Sequence, residues 1–100
     1  MTVGQDLDRA RAGVAEAHAR VASLERAVAS FVEVARIEHV ALTAGSGTQT
    51  DYLRAEADLL SARANLVEAR HREIGARVEL ARVTGSLAID WLNANLEARP

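Results

Sequence analysis

Glu68 and His71 stand one helical turn apart, the Glu-x-x-His spacing of a carboxylate-bridged di-iron ligand pair. Such a site needs the motif twice, with two further carboxylates facing inward. This chain has the motif once, and Glu38 and Glu73 are the acidic residues that fall on its apolar seam. His71 therefore reads as a seam residue hydrogen-bonded to a neighbour, and His18 and His39 as solvated boundary residues. Ser46 has no His or Lys beside it in its turn, so nothing would activate it as a nucleophile. Gly45-Ser46-Gly47-Thr48 lacks the GK[ST] ending and the preceding strand of a phosphate-binding loop. There is no cysteine, which excludes disulfides and thiolate metal sites. The residues call for no metal and no cofactor, and the chain reads as something other than an enzyme.

Those residues must be positioned by helices. Alanine makes up about a fifth of the chain, every basic residue is arginine, and the single proline is Pro100. Ala, Leu, Arg and Glu are strong helix formers, and no internal proline interrupts them. Formal net charge is −2, so the electrostatic footprint of a nucleic-acid partner is missing. No apolar run reaches the roughly 20 residues of a membrane-spanning helix. Met1 to Arg11 is polar and charged and does not read as a signal peptide.

The one strong break is Ala44 to Thr48, almost at the midpoint. It predicts an all-α fold: a long antiparallel two-helix coiled-coil hairpin over 1–86, with helix 1 at about 6–43, a tip at 44–48 and helix 2 at about 49–84. Gly45 and Gly47 can take the positive φ that a tight reversal needs. Thr48 or Thr50 is placed to cap helix 2, with Asp51 in its first turn. Gly85 is placed to end helix 2. The tail 87–100 then forms a short helix at most, and its Trp91 has no evident partner in the hairpin.

Heptads run along both helices. On helix 1, Leu7, Val14, Val21, Val28, Ala35 and Leu42 recur every seven residues, with Ala10, Ala17, Leu24 and Phe31 three positions later. On helix 2 the same stripe is Tyr52, Leu59, Leu66, Leu80 and Leu87, interrupted by Glu73, with Ala55, Ala62, Ala69, Ala76 and Val83. Glu38 and Glu73 must face water or pair with Arg from an adjacent helix. Helix 2 carries a second line, Leu53, Ala57, Leu60, Ala64, Val67, His71, Ile74, Val78 and Ala81, roughly 150° around from the first at 100° per residue. Helix 1 has a thinner equivalent in Ala12, Ala15, Ala19, Ala22 and Ala29. Two seams per helix imply a neighbour on each side. A tube of helices satisfies that pattern, and so does a four-helix bundle made by two hairpins. The charged residues between the seams read as a solvated face with pairs such as Glu68–Arg72 and Glu73–Arg77.

The tip and the rhythm after it resemble the outer membrane efflux proteins of the TolC family. The residues that carry the resemblance are Gly45, Thr48, Asp51, Tyr52, Leu53, Ala55, Leu59, Ala62, Leu66 and Ala69, followed by Leu80, Ala81 and Gly85. The resemblance implies the C-terminal periplasmic hairpin of a longer protein. Such proteins are homotrimers with a β-barrel in the outer membrane and an α-helical tube across the periplasm. They act as passive conduits with a periplasmic adaptor (membrane fusion) protein and an inner membrane pump. By this likeness Gly45, Ser46, Gly47 and Thr48 form an adaptor-docking tip, and Asp51, Tyr52 and Arg54 lie near the closing aperture. The residues alone leave open a second reading, a stand-alone hairpin that dimerises into a four-helix bundle as an interaction module.

Overall fold

The computed structural model describes residues 2–97, with side chains described for 4–96. Two elements make up the fold: α1, Thr2–Thr43, and α2, Gln49–Glu97. They run antiparallel and pack on each other along their length as a coiled-coil hairpin, with no strand among the described residues. At 1.5 Å per residue α2 is about 74 Å long.

The seam follows the heptad stripes. Ala10, Val21 and Ala35 of α1 are buried, as are Ala55, Leu59, Ala62, Leu66, Ala69 and Val83 of α2. Val21 meets Leu66 and Ala69, with Leu24 and Val28 against them. Nearer the tip, Ala35 meets Ala55 and Leu59, with Val28 and Phe31 alongside. The alanines of α2 let the backbones approach, and Leu59 and Leu66 fill the space between. A groove opens beside Ala10, Gly13 and Ala76, where the seam side chains are smallest.

Glu73 occupies an apolar-stripe position and is resolved by pairing. Its Oε2 lies 3.3 Å from Nδ1 of His18 on α1 and 3.3 Å from Nη2 of Arg77, one turn on. Arg77 was the expected type of partner; His18, expected to be solvated, is the cross-helix one. Arg70 reaches Glu25 across the helices at 3.8 Å. The predicted Glu68–Arg72 pair also forms, at 2.8 Å.

Two expectations need correction. Helix 2 does not end near Thr84. It continues through Gly85 and Ser86 to Glu97, and takes in the described part of the tail as the same helix. Gly85 keeps helical φ, and nothing lies within 4 Å of where its Cβ would be. A single glycine weakens a helix interior by about 1 kcal/mol relative to Ala, too little to stop a helix of this length. Likewise His71 is not hydrogen-bonded in the seam. It is exposed and makes no side-chain hydrogen bond among the described residues.

Leu66→Ala is expected to destabilise the hairpin by about 2–4 kcal/mol. Leu60→Ala, at a position 70% exposed, should change stability by less than about 0.5 kcal/mol in dilute solution. Urea denaturation followed by circular dichroism checks both, and equal losses would contradict the seam described here.

The tip and the exposed apolar face

The reversal is built from the last turn of α1. Ala41 Oγ-free backbone carbonyl oxygen accepts from the amide N of Ser46 at 2.9 Å and of Gly47 at 2.9 Å. Gly45 N donates to Leu42 O at 3.1 Å. This pair of bonds, from Ser46 back to Ala41 and from Gly45 back to Leu42, is a Schellman cap. It requires a left-handed residue between, and Gly45 supplies it at φ 82°. Ser46 adds a bond from its Oγ to Ala41 O, 3.3 Å.

Gly47 serves a different purpose from the one expected. Its φ is not positive. A Cβ there would lie 2.9 Å from Cβ of Ala41 and 3.1 Å from the Ala41 carbonyl carbon. Gly47 is needed because the chain crosses α1 too closely for any side chain. Of the two candidate caps, Thr48 takes the role: its Oγ1 accepts from Asp51 N at 3.1 Å. That satisfies one otherwise unpaired amide at the start of α2, and Asp51 lies where the helix dipole favours an anion.

The proposed tip residues are thus together at one end of the molecule. Gly45, Ser46 and Thr48 are exposed and Gly47 is half-buried. Asp51 and Arg54 are exposed, and neither is in an ion pair among the described residues. Tyr52 turns inward instead. Its ring meets His39 with centroids 5.5 Å apart at 53°. That contact escaped the sequence reading because His39 lies beside the seam rather than on it.

The second stripe of α2 is uncovered. Leu53, Leu60, Val67, Ile74 and Val78 are all more than half exposed, and Val78 reaches 63%. The stripe continues beyond the predicted end of the helix to Leu92, beside exposed Ile89, Trp91 and Leu96. On α1, Ala12, Ala15, Ala19 and Ala29 are exposed. Val34, Ile37 and Val40 near the tip are exposed as well. These three were missed, although Val34 and Ile37 already show helical spacing in the sequence.

Charged side chains border these faces. Arg36 hydrogen-bonds Glu33, and Arg82 hydrogen-bonds Glu79. In each pair the guanidinium lowers the carboxyl pKa and the carboxylate raises that of the arginine. The His18 hydrogen bond lowers the Glu73 pKa most, opposed by desolvation and reinforced by Arg77. Among the described residues no group of three His, Asp or Glu could hold a metal ion, and no helix is long and apolar enough to cross a membrane. No family model, no curated protein and no solved structure matches this chain.

A carboxyl whose pKa is depressed by folding contributes stability above its unfolded pKa and loses it as pH falls through the folded value. The hairpin should therefore lose thermal stability as pH drops below about 4.3, the ordinary Glu value. Glu73→Gln should flatten that dependence, and unchanged melting curves between the two proteins would exclude Glu73 as a contributor. Gly45→Val, forced into positive φ, should cost about 1–3 kcal/mol, read from the same denaturation series.

Proposed function

We propose that this hairpin is a wall segment of a TolC-like outer membrane efflux duct. In this reading it passes substrates by conduction and carries out no chemistry. The observation that supports it most is the uncovered second stripe of α2, which runs the length of the helix opposite the seam. A self-sufficient two-helix hairpin has no use for a second apolar line. A helix in the wall of a tube needs one, because it meets a neighbour on either side. The full-length protein would be a homotrimer, with its membrane-spanning part made by other segments of the longer chain.

In the same reading the tip faces a periplasmic adaptor that connects the duct to an inner membrane pump. Ser46 and Thr48 present hydroxyls there, on a turn held rigid by the Gly45 cap. Asp51 and Arg54, exposed one turn back, would lie at the closing end of the duct, with Tyr52 fixing the helices beneath them.

Two measurements test the proposal. An antibody to the hairpin should detect a native product several-fold heavier than 10.7 kDa in the outer membrane fraction. A soluble product of the hairpin's own mass would instead favour a stand-alone interaction module that dimerises into a four-helix bundle. In a full-length parent, a bulky residue at Gly45 should abolish export while trimers still assemble. Normal export from that variant would remove the docking role of the tip.

A further inference from the structure

The two uncovered faces of the hairpin are unlike each other. The face of α2 carries large side chains, Leu60, Val67, Ile74 and Val78, all exposed. The face of α1 carries small ones, Ala12, Ala15, Ala19 and Ala29 exposed and Ala22 half-buried. We propose that the large face of α2 packs on the alanine face of α1 in a second copy of this chain, side by side and with the tips at the same end. The contact is head-to-tail, so each copy has one face of each kind still free to bind the next.

Size matching supports the level register. Within the hairpin, Ala35 lies opposite Ala55 and Val21 opposite Ala69. At that same level between copies, Leu60 falls on Ala29, Val67 on Ala22, and Ile74 on Ala15 and Ala19. Each large side chain meets a position with room for it. Charge matching agrees. Arg26 and Glu33 are the charges that interrupt the alanine line. Arg26 falls level with Glu68 on the border of the α2 face, and Glu33 falls level with Arg54. The antiparallel pairing of two α2 faces lacks this match, because it sets Arg63, Arg70 and Arg77 of each copy against the same residues of the other.

The geometry also predicts closure. On each helix the two stripes are separated by roughly 150° on one side, at 100° per residue. The residues on that narrower side include Glu25 of α1 and Arg70 of α2, and these two meet across the seam at 3.8 Å. Both helices therefore bend the wall in the same direction. A wall turning through 150° at every helix closes at about twelve helices, or about six copies of the hairpin.

This contact is a property of the two faces and stands apart from the duct reading, whose test is the mass and location of the native product. The sequence has no cysteine, so single cysteines report contacts cleanly, and the positions chosen are exposed. Purified Leu60→Cys and Ala29→Cys proteins are mixed and gently oxidised, with circular dichroism confirming helicity. The expected result is a mixed-disulfide dimer well in excess of either homodimer. A single chain carrying both substitutions should give a ladder of covalent oligomers. Ready dimerisation of Leu60→Cys alone would mean that α2 faces α2 and would overturn the proposal. So would preferential joining of Leu60→Cys to Ala15→Cys, which marks inverted neighbours, or the absence of any disulfide between folded proteins.

Discussion

The close approach of α1 and α2 through small side chains is what the rest of the molecule depends on. Ala55, Ala62 and Ala69 are buried on one line of α2, and Ala10 and Ala35 on the facing line of α1. Alanine gives up little rotamer freedom on burial, so the seam forms at small entropic cost. It also gains little apolar area per residue, so stability has to accumulate over many turns. That explains a hairpin of this length. It also explains why one polar intrusion, Glu73, is held by partners from both helices rather than left alone.

The tip follows from the same constraint. Two helices packed this closely can be joined only by a turn that reverses within a few residues. Gly45 supplies the left-handed conformation, and Gly47 supplies the absence of a side chain where the chain passes Ala41. The two glycines are adjacent but not equivalent: one answers a dihedral requirement, the other a steric one. Thr48 then starts α2 by capping it. With the turn fixed, the register of the whole seam is set, and so is the level at which each outward residue stands.

Outward residues matter because burial is unevenly distributed. The seam consumes one stripe of each helix and leaves the other in solvent. Exposed apolar surface that is continuous along a helix marks an interaction face. Here the two faces differ in side-chain size, large on α2 and small on α1, so they complement each other more readily than themselves. The described tail extends α2 and its apolar surface past the start of the facing helix, which enlarges the uncovered area at the end opposite the tip.

Much of this was legible from the residues. The all-α hairpin, the turn at its midpoint and the identity of nearly every seam residue follow from heptad spacing, because burial on a helix repeats with a fixed period. The spacing also identified the second stripe. It could not say how that stripe is used, since periodicity reports a face and not its occupant. The end of α2 was misplaced because a local signal, Gly85, is worth less than the propensity of the residues around it. The roles of Gly45 and Gly47 were separated only by the three-dimensional path of the turn. The pairing of His18 with Glu73, and of His39 with Tyr52, joins residues far apart in the chain, and only the register of the packed helices brings them together.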